Sequence, residues 1–524
     1  MYSVPPVASM TSSARPRLRW LVPLGAVLVA CLAAAAFVVG AWYGRRQADA
    51  RDEWAEARLL SSAIDSVRAN ALDSLPNDEL IRRAVSGMLR ELRDPYAALL
   101  RPDGYERYRG SLQGTGRGFG LTLRHDTRGA GVARVASGSP ARAAGIRAGD
   151  RILAVDGVPV SAGWGAPRDS AAAPPAQHLL TLWRAPHGDT IRVLVRRQPW
   201  HLPAVVDQGL LTDRVGYVRL ASFSARSSDE VEQTVVALVQ RGARSLVLDL
   251  RGNAGGLFEE GVKVAGLFLE RGQLVASLSG RNGADLQPHY VRQSRWPEIP
   301  ITVLVDAGTA SAAEIVAVAL RDHQRALLVG TTTYGKGVVQ RVVTISKDIA
   351  LRLTTARWLT PKGVSIERRS GEGNAVHGGI TPDVLLDEAD RRDPYSVPPG
   401  WTRGHARIVS ERADSVAMSA LREGWATTPL SLLEARLRGA LTPMIPRTMQ
   451  SPVERAEWVT VATRMATVRM LEVELEQEAL LRYTAREDAA LRAAIDVVEP
   501  GAALPSLVSP TLPPATVQRS VPLR

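Results

Sequence analysis

Two residues that can act together as a nucleophile and a base stand 25 positions apart in this chain. Ser311 lies among small residues, and Lys336 lies between two glycines. Lysine is scarce in this arginine-rich chain and occurs only at positions 263, 336, 347 and 362. Arginine keeps its proton near neutral pH, whereas a buried lysine can release one. The pair therefore suggests a serine nucleophile with a lysine base.

The surroundings of Ser311 predict a place at the start of a helix. A strand-like run at 301–305 and a short loop precede the serine, and an apolar helical stretch follows it. The first turn of a helix has unpaired backbone N–H groups, so the Ala312 amide would stabilise the oxyanion of acyl transfer. The loop with Gly255 and Gly256 would supply the second donor. Serine is also a common helix cap, and position alone favours that structural role.

Lys336 strengthens the catalytic interpretation. A lysine has a pKa of about 10.4 in water, and burial against apolar groups lowers that value by as much as several units. Val338 and Val339 follow Lys336 and supply apolar surroundings. Gln340 lies four residues beyond the lysine, on the same face of a strand, so its amide oxygen would orient the amine. Taken alone, Gln340 is typical of a solvent-facing strand residue.

Two nearby loops are close to other active-site motifs and fail in their details. Residues 330–337 almost match the phosphate-binding pattern G-x-x-x-x-G-K-[ST], but Gly337 stands where the hydroxyl is needed and valines follow it. Residues 252–256 are close to the G-[DN]-S-G-G of trypsin-like proteases, with Ala254 in the place of the nucleophile. That fold is all-β, which does not fit the rest of this chain. We therefore favour neither a nucleotide site nor a trypsin-like protease.

An upstream segment predicts a small β-rich unit. Residues 139–157 indicate a short helix, a Gly-Asp turn and a strand that ends in Asp-Gly, and this segment resembles a PDZ domain. In that family a carboxylate-binding loop offers backbone amides to the C-terminus of a peptide, which extends a sheet. Four residues match this loop: Gly118, Phe119, Gly120 and Leu121. The alternative is a tight β turn without a ligand. Residues 162–175 suggest a loop inserted before the helix that would line the peptide groove.

The composition excludes several classes of protein. The net charge of +12 comes from arginines that are interleaved with acidic residues, and no dense basic run with aromatics appears, so we expect no nucleic-acid partner. Cys31 is the only cysteine, which excludes an intrachain disulfide and a metal site built on thiolates. With 524 residues, of which 45% are hydrophobic, the chain is long enough for several domains.

Residues 20–44 predict a membrane anchor. These 25 residues include no charged side chain, and as a helix they would span more than the roughly 30 Å hydrocarbon core. Arginines flank both ends, and a signal peptide cleaved near Ala33–Ala36 is the alternative to an uncleaved anchor. Either way, we expect the bulk of the chain outside the cytoplasm. The predicted location is a bacterial inner membrane, crossed once, with the catalytic part in the periplasm or extracytoplasmic space.

Strands and helices alternate after about residue 205, which predicts an α/β domain with a mostly parallel sheet. Helical patterns recur before the β-rich unit and after about residue 390. The predicted domains are a short N-terminal tail with the anchor, a helical region, a PDZ domain, a Ser/Lys peptidase domain, a second helical region and a Pro-rich tail. Their predicted bounds are 1–50, 51–110, 111–200, 201–390, 391–499 and 500–524.

Several motifs in a fixed order resemble those of the carboxy-terminal processing peptidases, also called tail-specific proteases. They stand at residues 92–96, 248–253, 310–315, 333–340, 353–356 and 379–383. The resemblance implies a ClpP/crotonase-like core joined to a PDZ domain. It also implies that Ser311 is the nucleophile, Lys336 the general base and Gln340 its orienting partner. No metal or cofactor is expected.

The implied activity is that of a serine endopeptidase whose PDZ domain binds the C-termini of proteins, its expected substrates. An acyl-enzyme on Ser311 would form and be hydrolysed. The competing hypothesis is a membrane-tethered adaptor that binds peptides without cutting them. An adaptor protein that delivers substrates and a homo-oligomer are further partners that the sequence leaves open.

Overall fold

The structure is a computed structural model that describes twelve stretches of the chain. They are residues 57–73, 75–126, 129–160, 176–184, 188–281, 286–346, 349–370, 376–387, 397–398, 401–474, 477–499 and 518–519. The chain divides into two compact units, Met1–Arg93 and Asp94–Arg524. The first unit has a helix through residues 57–70 and helix α1 (Asn77–Glu91). Helix α1 confirms the helix that apolar residues at three-to-four spacing predict between Leu80 and Leu92.

The second unit begins with strand β1 (Ala98–Leu100) and helix α2 (Pro102–Leu112), followed by a β-rich region. Its strands and one short helix are β2 (Thr115–Arg117), β3 (Leu121–Asp126), β4 (Gly129–Val135), α3 (Pro140–Ala143), β5 (Arg151–Val155), β6 (Val158–Pro159), β7 (Gln177–Arg184), β8 (Asp189–Arg196) and β9 (Pro199–His201). The main sheet has the order β3-β4-β5-β7-β8, and β2 pairs with β9. Strand β3 is therefore an edge strand that follows the predicted carboxylate-binding loop.

One element of this region differs from the sequence-based expectation. A helix was expected after the loop at 162–175, but the first described element there is strand β7, which pairs with β5 and β8. Leu180 and Leu182 are fully buried, Thr181 between them is only partly buried, and Leu179 on the other side of Leu180 is exposed. This period of two buries one face of a strand and would not form the apolar stripe of a helix.

The region after β9 alternates strands and helices. Its elements are β10 (Val205–Leu210), β11 (Val215–Leu220), α4 (Ser227–Gln240), β12 (Ser245–Asp249), α5 (Phe258–Phe268), β13 (Leu274–Ser279), β14 (Leu286–Tyr290), β15 (Ile301–Val305), α6 (Ala312–Asp322), β16 (Ala326–Gly330), β17 (Val338–Ser346) and β18 (Ile349–Leu359). Strands β11, β12, β15 and β16 are parallel neighbours in one sheet. The predicted parallel sheet is thus confirmed, and helices α4, α5 and α6 share a buried apolar core with it.

The loop that contains Lys336 leads into a strand of a second sheet. Strands β17 and β18 form a long antiparallel hairpin, which the strand-like runs at residues 338–345 and 350–356 predict, and β18 also pairs with β1 and β13. Ala98 of β1 is in register with Arg352 of β18. This pairing brings the residues just before β1 beside β18, the hairpin partner of the strand that begins two residues after Lys336.

The remaining elements are short strands and the C-terminal helices. They are β19 (Arg369–Ser370), β20 (Val376–His377), β21 (Val384–Leu385), α7 (Arg403–Arg422), α8 (Leu430–Leu441), α9 (Pro452–Glu474), α10 (Gln477–Glu487), α11 (Ala489–Val498) and β22 (Gln518–Arg519). Helices α7, α8 and α9 have a core of their own, whereas α10 and α11 pack on the parallel sheet. Among the described residues no helix has the length and apolar character to cross a bilayer. The predicted anchor at 20–44 lies outside those residues.

Candidate active site

Ser311 adopts a backbone conformation that residues with a side chain rarely take. The serine follows the loop after β15 and directly precedes α6, with φ of 57° and ψ of −120°. Such a conformation costs about 1–3 kcal/mol and persists only where the surroundings hold it. The Ala310 amide donates to the Asn253 carbonyl at 2.9 Å, and the Ser311 amide donates to Glu314 Oε2 at 2.8 Å. The strain is thus held by bonds on both sides of the serine.

Glu314 joins the serine loop to the lysine loop. Its side chain is fully buried, and its two oxygens accept four hydrogen bonds. The donors are the amides of Ser311 (2.8 Å), Gly335 (2.7 Å) and Lys336 (2.9 Å) and the Thr333 hydroxyl (2.6 Å). Burial raises the pKa of Glu314, and these donors act against that rise because they stabilise the charged form. One carboxylate therefore holds the backbone of both predicted catalytic residues.

The Lys336 side chain lies partly buried beside Gln340. Its Nζ donates to Gln340 Oε1 at 2.9 Å, so the structure brings the predicted base and its predicted partner together. Burial is the main cause that lowers the pKa of Lys336, and the nearby charge of Arg352 lowers it further. The negative charges of Asp94 and Glu314 raise the pKa of Lys336, but by less. A lowered pKa is what a lysine needs to act as a base.

Among the described residues, no hydrogen bond joins the side chains of Ser311 and Lys336. The hydrogen bond of Lys336 Nζ goes to Gln340. In sites without substrate, catalytic hydrogen bonds are often long and tighten only in the complex. The structure therefore links the two residues through their backbone and Glu314.

The predicted oxyanion donors are not equivalent. Gly255 packs against the serine, since a Cβ built on it would lie 2.7 Å from Ser311 Cβ. However, the Gly255 amide donates to Asn253 Oδ1 at 2.9 Å and is already occupied in this arrangement. The Ala312 amide, at the first position of α6, has no acceptor within its helix. Among the described residues, the Gly256 amide likewise has no hydrogen-bond acceptor. Ala312 and Gly256 are thus the two donors left open.

The predicted carboxylate-binding loop is held by its own carbonyls. Ala141 donates to the Phe119 carbonyl, and Ala136 donates to the Gly120 carbonyl, both at 2.9 Å. A Cβ on Gly120, whose φ is 75°, would lie 2.2 Å from the Cβ of the neighbouring Ser139, so only glycine fits there. Gly118 precedes this fixed pair and Leu121 begins edge strand β3. Among the described strands none pairs with the outer edge of β3, so the loop meets a strand edge of the kind that β-augmentation uses.

Comparisons with known proteins assign each of the two regions to a known family of domains. A model of peptidase family S41 matches residues 214–386, and a PDZ model matches residues 131–197. The chloroplastic C-terminal processing peptidase of Tetradesmus obliquus is 34% identical over 323 residues, which are 58% of this chain and 67% of that protein. The carboxy-terminal processing protease CtpA of Bacillus subtilis (strain 168) is 29% identical over 336 residues, 63% of this chain and 69% of that protein. The chain belongs to the carboxy-terminal processing peptidases.

This carboxy-terminal processing peptidase is thus a serine-type peptidase with a PDZ domain. The comparisons do not favour the alternative of an adaptor without activity. The chain spans about two thirds of the length of the two curated relatives. A solved structure of a photosystem II D1 C-terminal processing protease is similar over 63% of this chain and 90% of its own, with 30% sequence identity and a TM-score of 0.38.

The sequence reasoning missed the role of Glu314 in this peptidase. A glutamate three residues after a serine is the signature of a capping box, in which the glutamate accepts the hydrogen bond of the serine amide. That signal identifies the hydrogen bond to Ser311. It does not reveal the hydrogen bonds to Gly335 and Lys336, which come from a loop more than 20 residues away.

Among the described residues, no group of three or more His, Cys, Asp or Glu could hold a metal ion.

We expect Glu314→Gln to reduce both stability and activity. The amide would present a donor to N–H groups that now bond a carboxylate, and the loss of such a buried bond costs about 1–3 kcal/mol. Urea unfolding and cleavage of an unfolded substrate measure the two effects. Glu259→Gln, an exposed carboxylate in the first turn of α5, is the matched control. Wild-type stability and activity in Glu314→Gln would contradict the role of Glu314.

Proposed function

We propose that this peptidase cuts proteins near their C-termini with Ser311 as nucleophile and Lys336 as general base. The proposal rests on the carboxylate of Glu314, which accepts hydrogen bonds from the backbone amides of both residues. In the first step, neutral Lys336 takes the proton of Ser311 Oγ while that oxygen attacks the scissile carbonyl carbon. Gln340 keeps the amine oriented through its bond to Nζ.

The tetrahedral intermediate carries its negative charge on the former carbonyl oxygen. The amides of Ala312 and Gly256 stabilise this oxygen, since preorganised N–H donors favour the charge that develops in the transition state. Lys336 then returns its proton to the leaving amine, and the C–N bond breaks. Water, deprotonated by Lys336, attacks the carbonyl carbon of the acyl-enzyme. The bond from that carbon to Ser311 Oγ breaks, Lys336 returns the proton to Oγ, and the new C-terminus is released. A ClpP/crotonase-like core is the fold that we assign to this catalytic region.

Selection of the substrate is assigned to the PDZ domain. The terminal carboxylate of the substrate binds amides of the loop at Gly118, Phe119, Gly120 and Leu121, and the peptide pairs with the free edge of β3. Strand β7, paired with β5 and β8, follows the loop after which the sequence predicts a groove helix. An adaptor protein and a homo-oligomer are outside this proposal.

Substitution of either predicted catalytic residue should abolish proteolysis. We expect Ser311→Ala and Lys336→Ala each to reduce cleavage of unfolded substrates with apolar tails by at least about 1000-fold, as removal of other catalytic nucleophiles and bases does. Mass spectrometry of the products measures the rate and the cut sites. Lys362→Ala, at an exposed lysine, is the control and should keep full activity. Full proteolysis by Ser311→Ala or Lys336→Ala would refute the assignment.

The reaction should depend on the protonation of Lys336. Only the neutral amine accepts a proton, so the rate should rise as pH passes the pKa of Lys336, which lies below the usual lysine value of about 10.4. Arg352→Gln removes a nearby positive charge, raises this pKa and should move the rising limb to higher pH. The rate of Ser311 acylation by a small serine-directed probe, followed against pH, measures the shift. A limb that moves to lower pH in Arg352→Gln would contradict the assignment of this limb to Lys336.

We also propose that residues 20–44 anchor the peptidase in a bacterial inner membrane, with the catalytic part in the periplasm or extracytoplasmic space. The support is the uncharged run of 25 residues. The full chain should stay with membranes after an alkaline wash. Leu28→Arg combined with Leu32→Arg should release it, because each arginine costs about 2.5–3.5 kcal/mol at the centre of a spanning helix. Release of the unaltered, full-length chain by the wash would exclude the anchor, and N-terminal sequencing distinguishes a cleaved signal peptide.

A further inference from the structure

A short turn at the start of the second unit reaches the lysine of the active site. The Asp94 carboxylate accepts the Tyr96 amide at 2.9 Å and the Thr354 amide of β18 at 3.2 Å. Strand β1 continues this turn and pairs with β18. The turn is therefore fastened to the hairpin that follows Lys336 by a carboxylate and by a strand.

Tyr96 contacts both Lys336 and the glutamine that orients it. Its carbonyl accepts Gln340 Nε2 at 2.8 Å and Arg352 Nε at 3.2 Å. Its ring lies beside the amine, with Lys336 Nζ 4.9 Å from the ring centroid. A cation within about 6 Å of a ring face is attracted by the negative face of the aromatic ring. The same residue thus holds the partner of the base and presents a surface that favours the protonated base.

The Tyr96 ring is held in place and stays neutral. Burial is the main cause that raises the pKa of Tyr96 to about 12, and the bonded Tyr334 adds to it. A phenol with this pKa keeps its proton at the near-neutral pH at which peptidases act. The contact with Lys336 is therefore one of an ammonium with a neutral aromatic ring.

We propose that Tyr96 is a positioning residue for the general base of this peptidase. Its carbonyl fixes Gln340, and its ring face holds the ammonium that Lys336 becomes when it takes the proton of Ser311. This inference rests on the proposed roles of Ser311 and Lys336. The proton that leaves Ser311 Oγ resides on Lys336 Nζ until the amine product departs, and Tyr96 stabilises that protonated state without taking part in a bond change.

Several other charged or titratable groups face this amine or the Tyr96 ring, and they set the sign of the test. They are Asp94 of the turn, Glu314 of α6, Tyr334 of the preceding loop, Arg352 of β18, and Glu367. None of them changes in a Tyr96 variant. Loss of the ring face removes an attraction for the ammonium, so the amine should lose its proton at lower pH.

The test compares Tyr96→Leu and Tyr96→Phe with the unaltered full chain. The rate of Ser311 acylation by a small serine-directed probe is followed from about pH 6 to about pH 10, a range below the free lysine value. Tyr96→Leu keeps an apolar side chain without a ring face. Its rising limb should move to lower pH by about 0.5 to 1 unit, the shift that a cation–ring contact of ordinary strength gives. Its maximal rate should fall as well, because the amine is less well placed.

Tyr96→Phe keeps the ring face and loses only the hydroxyl, so its rising limb should stay at the wild-type pH. Tyr290→Leu, at a tyrosine that is 51% exposed, is the control for a general effect of tyrosine loss and should leave the profile unchanged. Tyr96→Met replaces Tyr96→Leu if circular dichroism shows that the leucine variant does not fold.

An unmoved limb in Tyr96→Leu, or a shift to higher pH, would overturn the inference. An equal shift in Tyr96→Phe would also overturn it, because the hydroxyl and not the ring would then act. Failure of the proposed function is distinguishable, since Ser311→Ala or Lys336→Ala would then still react with the probe or cleave substrates. Loss of reaction in those two variants, with no shift in Tyr96→Leu, would refute the role of Tyr96 alone.

Discussion

The buried carboxylate of Glu314 is the interaction on which the site depends. It accepts hydrogen bonds from three backbone amides and one hydroxyl, which come from two loops. The side chain is fully buried. A buried charge is costly unless hydrogen bonds compensate it, so the two loops can only form around this group together. The positions of Ser311 and Lys336 are therefore coupled, although no hydrogen bond joins their side chains in the described part of the chain.

This coupling explains how the strained backbone at Ser311 persists. The glycine loop at Gly255 packs against the serine on one side, and the Ser311 amide is bonded to Glu314 on the other. A residue at positive φ is held only where its surroundings leave no relaxed alternative. Among the described residues the amides of Ala312 and Gly256 have no hydrogen-bond acceptor, whereas Gly255 donates its amide to Asn253. The loop that packs against the strained serine is thus also the loop that contains Gly256, one of the predicted oxyanion donors.

The second sheet plays the corresponding part for Lys336. Hairpin β17–β18 places Gln340 beside the amine, and the pairing of β1 with β18 brings Tyr96 to the same point. Burial and Arg352 make the amine easier to deprotonate, whereas the Tyr96 ring favours the protonated state. A general base needs both properties, since it must accept a proton and later return it. The site therefore balances opposing influences on one amine.

The sequence alone determined the elements and the family, because apolar periodicity and short motifs are local. The helix after Ser311, the parallel strands, the β17–β18 hairpin and the neighbourhood of Lys336 and Gln340 follow from such patterns. Strand β7 does not follow from such a pattern. The PDZ resemblance predicts a helix there, whereas the segment forms a strand that pairs with β5 and β8. Three contacts were decided only by the tertiary structure. Glu314 accepts hydrogen bonds from two loops, the Gly255 amide donates to Asn253, and the Tyr96 ring lies against the amine of Lys336. Those contacts join residues that are distant in the chain, and no local pattern encodes which of them meet.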